Sequence, residues 1–190
     1  MQTTTTTMVQ TQEKPMNIVV IGLPGSGKGT QAARLAERYQ LCHISSGDLL
    51  RQEMKRDTPR GREIKRHMDE GVLFPDELVE SVFLDFVPDE NYILDGYPRK
   101  LSQTGVFKNV NLVIYLTLDE GEAARRILGR RDGRADDNED AIRVRVSEFV
   151  EETKPVVGFY EDCGLLHRVD ASGTPDEVYD RVEKIVRSTY

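Results

Sequence analysis

The chain has 190 residues, 38% of them hydrophobic and 31% charged, with a formal net charge of −7. That is long enough for one domain with a sizeable core. No run approaches the ~18 apolar residues of a membrane span, and the acidic balance argues against a nucleic-acid surface, so neither a membrane nor a nucleic acid is an expected partner.

Residues 1–15 are polar and threonine-rich, without the apolar stretch of a signal peptide or the arginines of a transit peptide. They read as a flexible tail ahead of one domain over 16–190. The first apolar, β-branched run is 18–21. It is followed by Gly22-Leu-Pro-Gly-Ser-Gly-Lys-Gly-Thr30 and then by a helix-like stretch over 30–38. Strand, glycine-rich turn and helix in that order are the context a phosphate-binding loop requires. The glycines let successive N–H groups point into one concavity, Lys28 adds a point charge, and the helix adds its positive end. The loop departs from the strict GxxxxGK[ST] pattern, because Gly29 stands where the magnesium-binding hydroxyl is usual and Thr30 comes one residue later.

A second strand is expected at 41–44, ending in Ser45-Ser46-Gly47-Asp48, with Arg51 about one helical turn beyond Ser46. A hydroxyl and a guanidinium so spaced suit an anion site at a helix start. The stretch 47–86 reads as helical, broken at Thr58-Pro59 and again at Phe74-Pro75. A simple crossover needs one helix and this one has about three, so a small helical insert is expected to project from the sheet. Strand 92–94 leads into Asp95-Gly96-Tyr97-Pro98-Arg99, where an acid at a strand end beside a phosphate loop is placed to hold the water shell of Mg²⁺ and Arg99 brings a planar five-donor cation to the same mouth.

A fourth strand is expected at 112–118 and a helix at 119–129. Residues 125–134 contain five arginines, of which Arg126 and Arg130 share one helix face at i, i+4. Arg134 follows a glycine turn, and Arg145 lies beyond an acidic patch on a helix over 139–151. Further helices are expected at 155–162 and 175–187, the latter opened by Thr174-Pro175-Asp176-Glu177 with its threonine cap and first-turn acids, and a less regular strand at 165–169. The rhythm is that of an α/β fold, a five-stranded parallel sheet between two helical layers, with ligands beyond the carboxyl ends of the strands. Cys42 and Cys163 are far apart, with no CxxC spacing, which points to a reducing, cytoplasmic compartment and to no structural zinc.

Taken together, GLPGSGKGT (22–30), SSGDLLR (45–51), DGYPR (95–99) with Gln103, RILGRR (126–131) and GRADDN (133–138) resemble the adenylate kinase branch of the nucleoside monophosphate kinases, in order and spacing, from Met16 onward. The resemblance implies a phosphate-loop α/β/α core with a monophosphate-binding insert over 45–74 and a short lid over 129–137. It implies that Gly25, Ser26, Gly27, Lys28, Gly29 and Thr30 cradle the ATP phosphates, that Arg126 and Arg130 lie against ATP, and that Gly173 meets its adenine. The acceptor monophosphate falls to Ser46, Arg51, Val72, Leu73, Phe74, Gly96, Tyr97, Pro98, Arg99, Gln103, Arg134 and Arg145. Lys28, Arg99, Arg130, Arg134 and Arg145 are the implied catalytic cations, and Asp95 the implied carboxylate for Mg²⁺, through water. Only Arg131, Asp132 and Gly133 separate Arg130 from Arg134, which is the short-lid form; with it come no zinc and a monomer.

The implied reaction is Mg·ATP + AMP ⇌ 2 ADP, by positioning and charge neutralisation, with no covalent nucleophile and no general base. Gln103 can accept from adenine N6–H₂ and donate to N1, but the cytosine edge offers the same order, so hydrogen bonding alone does not reject CMP. Two alternatives stay open: a pyrimidine (UMP/CMP) monophosphate kinase, and a nucleotide-binding module that transfers nothing.

Overall fold

The computed structural model describes residues 14–70, 74–83, 86–107, 109–129 and 139–190. Its elements are β1 (Asn17–Gly22), α1 (Lys28–Tyr39), β2 (Cys42–Ser45), α2 (Ser46–Met54), α3 (Pro59–Glu70), α4 (Asp76–Phe83) and β3 (Tyr92–Asp95). After a 3₁₀ turn at Leu101–Gln103 come β4 (Leu112–Thr117), α5 (Glu120–Leu128), α6 (Glu139–Glu148), a π turn at Phe149–Thr153, α7 (Lys154–Asp162), β5 (Leu166–Asp170) and α8 (Pro175–Thr189). No helix among the described residues is long and apolar enough to cross a membrane.

All neighbouring strands pair in parallel, in the order β2-β3-β1-β4-β5. Every residue of β1 is buried, as a central parallel strand covered on both faces must be. Ile18 and Val20 pack with Leu35 of α1 and with Val178, Val182 and Val186 of α8. Val19 and Ile21 face the opposite way, toward Phe83 of α4, Phe149, and Val156 and Tyr160 of α7. Alternation along one strand therefore builds two cores and three layers. At the edge, β5 buries only Val169 completely, which is why its apolar pattern is the least regular of the five.

Most boundaries shift by one or two residues from the sequence expectation, and two of the differences have a clear local reason. The second strand starts at Cys42 because Leu41 closes α1: Gln40 adopts a left-handed conformation (φ 55°) and the Leu41 N–H donates to the Ala36 carbonyl at 2.9 Å. The helix expected over 139–151 ends at Glu148 and widens into the π turn before continuing as α7. Pro155 lacks an N–H and its ring crowds the carbonyl four residues back, so the α-helical ladder cannot run through.

Between β2 and β3, helices α2, α3 and α4 share a core of their own, formed by Leu50, Ile64, Met68 and Val82. Glu53 is buried on α2 and is held by Arg56 and Arg60, each at 2.8 Å. Where α3 crosses the end of α2, Gly61 leaves almost no room: a Cβ there falls 2.4 Å from the Arg56 carbonyl oxygen and 2.8 Å from that of Glu53. Gly61→Val is therefore expected to lower stability to urea by about 1–3 kcal/mol through overpacking; an unchanged midpoint is the result that contradicts so tight a crossing.

Candidate active site

The carboxyl ends of β1, β2 and β3 lie side by side. Asp95, the last residue of β3, pairs with Ser45 at the end of β2 and with Val20 of β1. Beyond these ends is a cavity of about 730 Å³, walled by the loop after β1, the start of α2, the segment after β3, and the junction of α6 with the π turn. The three segments that the sequence placed at strand ends thus converge on one volume.

In the loop after β1, Gly25 (φ 85°) and Gly27 (φ 88°) are left-handed, a conformation side chains resist. Gly25 is also pressed against α5, since a Cβ would sit 2.4 Å from the Ala123 carbonyl oxygen. Helix α1 begins at Lys28 with no side-chain cap and no acid in its first turn, which leaves its positive end to an incoming anion. Lys28 Nζ donates to the carbonyls of Gly22 (2.8 Å) and Leu23 (2.9 Å) and lines the cavity. Ser26 is buried under the loop, so its backbone rather than its hydroxyl is what the loop offers. Thr30 is exposed at the rim. Asp95 also lines the cavity, and its Oδ2 lies 3.1 Å from where a Cβ on Gly29 would stand. A hydroxyl-bearing side chain at 29 would crowd that carboxylate, and glycine makes room for it.

Arg51, Arg99 and Arg145 face the same cavity, as does Glu148. Burial lowers the pKa of the Arg99 guanidinium, the neighbouring Asp95 raises it, and the positive charges of Arg145 and Arg51 lower it again. The guanidinium of Arg51 lies over Gly47, within 3.1 Å of a Cβ built there, and hydrogen-bonds Asp48. Phe74 and Pro98 complete the wall on this side. Gly96 takes a left-handed turn (φ 77°). Tyr97 points away into the core, its ring 4.8 Å from that of Phe83 and 5.5 Å from that of Phe107, and burial pushes its phenol pKa well up.

Two further residues expected at the acceptor site make their hydrogen bonds within the fold. Ser46 is buried and its hydroxyl donates to the Gly96 carbonyl at 2.8 Å; the cap of α2 is Ser45, which accepts from the Asp48 N–H at 3.3 Å. The Gln103 amide is used at both ends. Its Oε1 accepts from the N–H of Arg99 (2.7 Å) and of Lys100 (3.3 Å), while Nε2 donates to Asp76 Oδ1 at 2.7 Å. Burial pushes the Asp76 carboxyl up, but hydrogen bonds from Ser102 and Gln103 and the charge of Lys100 outweigh it and hold the pKa below the usual range. This link therefore contributes stability at neutral pH and loses it as pH falls through that lowered value.

Arg126 and Gly173, both expected on the donor side, are bonded to each other away from the main cavity wall. Arg126 Nη1 donates to the Ala171 carbonyl (3.0 Å), Nη2 to that of Gly173 (3.3 Å), and Nε to Glu122 (2.8 Å). Val72, Leu73, Arg130 and Arg134, and with them most of the expected lid, lie outside the described residues. Sequence reasoning missed His43, His67, Glu148 and Thr153, which the structure puts on the cavity wall. None of them stands in a recognisable motif. Thr153 nonetheless braces the site, because its hydroxyl donates to the Arg99 carbonyl at 3.0 Å.

The bracing of Arg99 by Gln103 and Asp76 is open to a double substitution. Gln103→Glu keeps the acceptor for the Arg99 N–H but sets two carboxylates face to face, and should cost about 1–3 kcal/mol in urea unfolding. Adding Asp76→Asn should recover most of that loss; strictly additive effects would show that the two side chains are not coupled.

Comparison with known proteins agrees with this geometry. The family model for adenylate kinase matches residues 20–165. An adenylate kinase of Encephalitozoon cuniculi is 39% identical over 175 residues, covering 91% of this chain and 99% of its own. One from Thermus thermophilus is 41% identical over 175 residues, covering 87% of this chain and 94% of its own. UMP-CMP kinase 1 of Oryza sativa subsp. japonica is 38% identical over 176 residues, covering 88% of this chain and 72% of its own. With a matched loop, a matched fold and near-complete coverage on both sides, the chain belongs to the adenylate kinase family and is a nucleoside monophosphate kinase.

Proposed function

We propose that the chain catalyses reversible, magnesium-dependent transfer of the γ-phosphoryl group of ATP to AMP, giving two ADP. One observation carries this reading: a phosphate-binding loop and three arginines from outside it, Arg51, Arg99 and Arg145, face a single cavity. A polyphosphate on the loop and a monophosphate among the arginines would meet end to end there. An oxygen of the AMP phosphate attacks the γ-phosphorus, a new P–O bond forms, the bond to the β-phosphate oxygen breaks, and ADP leaves with the electron pair. The attacking oxygen is already ionised, so no side chain has to act as nucleophile or base. The protein's part is alignment and the neutralisation of charge on the transferring group.

In this reading the loop N–H groups and Lys28 hold the ATP phosphates, Arg99 and Arg51 grip the acceptor phosphate, and Arg145, with Arg130 and Arg134, surrounds the group in flight. Arg126 and Gly173 shape the donor-base side, while Ser46 and Gln103 serve the acceptor site by bracing it. Asp95 fits Mg²⁺, because hard cations take oxygen ligands and this carboxylate faces the start of α1 beside Gly29. When bound with ATP, the ion supplies charge neutralisation between adjacent phosphates. The insert over 45–74 and the lid over 129–137 close over the nucleotides and exclude water. Both cysteines are unpaired thiols, in keeping with a reducing cytoplasm, and the short-lid form with a monomer.

The rice relative keeps pyrimidine acceptors in view, and one assay separates the readings. ADP formation from Mg·ATP should be fast with AMP and slow with CMP or UMP, and should stop when Mg²⁺ is chelated. Turnover confined to pyrimidine acceptors would overturn the choice of AMP, and no turnover with any acceptor would overturn transfer itself. Arg99→Ala should lower kcat by about 10²-fold or more, equivalent to about 3 kcal/mol of lost transition-state stabilisation.

A further inference from the structure

The phosphate loop belongs to a closed ring of contacts, completed by a buried glutamine that lies outside the cavity wall. Gly25 of the loop presses against Ala123 of α5, where a Cβ would fall 2.4 Å from the carbonyl oxygen. One turn farther along α5, Arg126 donates to the carbonyls of Ala171 and Gly173. The ring closes through α1. Gln31, one turn after Lys28, donates its backbone N–H to the Gly27 carbonyl at 3.1 Å and its Nε2 to the Pro175 carbonyl at 3.0 Å. A single residue is thus bonded to the phosphate loop on one side and to the segment 171–175 on the other.

Stability does not explain a glutamine at this position. Gln31 is 3% exposed, and the buried residues that follow it on α1, Ala32, Leu35 and Ala36, are apolar. The Pro175 carbonyl can only accept, so the amide must turn its nitrogen that way. Oε1 is then left shielded from solvent, with no hydrogen-bond partner among the described residues. An unmade buried acceptor costs at least as much as one hydrogen bond returns, so an apolar side chain of equal length would be no less stable here. What the amide adds is the link itself. Arg34 reaches the same carbonyl at 3.0 Å and Asp176 at 2.9 Å, but its side chain is partly exposed and water weakens the ion pair. The buried bond is the firmer of the two.

We propose that Gln31 is a positioning residue for the donor nucleotide: its bond to the Pro175 carbonyl sets the distance between the phosphate loop and the segment 171–175, so that the triphosphate and the base of one donor molecule are met together. This rests on the phosphotransfer reading above, in which Arg126 and Gly173 shape the donor-base side. Gln31 acts on a ligand that spans both ends and not on one that fills the phosphate loop alone. The acceptor lies among Arg51, Arg99 and Arg145, on other elements, and does not depend on this bond. The span is the same before and during transfer, so the bond governs affinity for the donor and leaves the chemical step alone.

The test uses the full chain, with equilibrium binding of ATP and of inorganic tripolyphosphate, both with Mg²⁺, together with urea unfolding and steady-state kinetics. Gln31→Met keeps the length of the side chain and removes its donor. Its affinity for ATP should fall about fivefold to tenfold. Its affinity for tripolyphosphate, its KM for AMP and its kcat should each change by less than about twofold. The urea midpoint should stay level or rise, because the unpaired Oε1 goes with the amide. A role in packing alone would lower the midpoint and weaken both ligands alike. Equal losses for ATP and tripolyphosphate therefore overturn the proposal, as does an unchanged affinity for ATP. Should Gln31→Met fail to fold, Gln31→Leu is measured in the same way with the same ratio expected, and failure of both to fold overturns a positioning role. An unmodified protein that binds ATP but transfers nothing overturns the phosphotransfer reading, while the ratio of ATP to tripolyphosphate affinity still decides this one. Normal turnover with an unchanged ratio overturns only the proposal.

Discussion

The site depends on how Arg99 is held. Its N–H donates to Gln103 Oε1 (2.7 Å), its carbonyl accepts from Thr153 Oγ1 (3.0 Å), and its own Nε donates to the Gly96 carbonyl (2.8 Å), which also accepts from Ser46 (2.8 Å). The 3₁₀ turn, the π turn and α2 are thereby tied to four residues of chain, 96–99. Each bond contributes only about 0.5–1.5 kcal/mol net, but together they fix where the guanidinium points, and phosphoryl transfer rewards position steeply. Arg99 itself lines the cavity. Gln103, Thr153 and Ser46 thus hold the segment that carries Arg99.

The same arrangement concentrates positive charge where an anion is favoured. The chain as a whole is acidic, with a formal net charge of −7, yet Arg51, Arg99 and Arg145 are gathered with Lys28 around one cavity. Arg99 feels this directly, since burial and the two neighbouring arginines all disfavour its charge and Asp95 is the main compensation. Phosphate groups relieve both penalties at once, by replacing lost hydration and by screening like charges from each other.

Much of this was legible in the chain. The five strands follow from apolar β-branched runs, and the two-sided burial of β1 follows from an unbroken apolar stretch, Ile18 to Ile21. The phosphate loop could be placed because its glycines stand between a strand and a helix. What residue type cannot tell is which of several partners a polar group takes. Gln103 has the donor and acceptor a base needs, but the Arg99 N–H and Asp76 satisfy both within the fold. Ser46 is similar: position suggested a ligand hydroxyl, and the nearby Gly96 carbonyl claimed it. Thr153 and His67 were silent for another reason, since each is brought to the cavity by tertiary packing, from helices whose local pattern reports only an apolar face. The π turn, by contrast, had its cause in plain view at Pro155.

Gly29 joins the sequence departure to the chemistry. At the end of a phosphate loop a hydroxyl residue normally offers its oxygen to the metal. Here Asp95 Oδ2 stands 3.1 Å from where a side chain at 29 would begin, so the two groups compete for one space. Removing the side chain lets a carboxylate from the neighbouring strand approach the start of α1, and a full negative charge there offsets both the helix end and the adjacent Arg99. The carboxylate also sits on β3, directly ahead of Gly96 and Arg99, so the loop after β1 and the segment after β3 meet at one residue. Asp95 and Arg99 thus belong to one short segment, 95–99, on the wall of the same cavity, and glycine at 29 leaves the carboxylate its space.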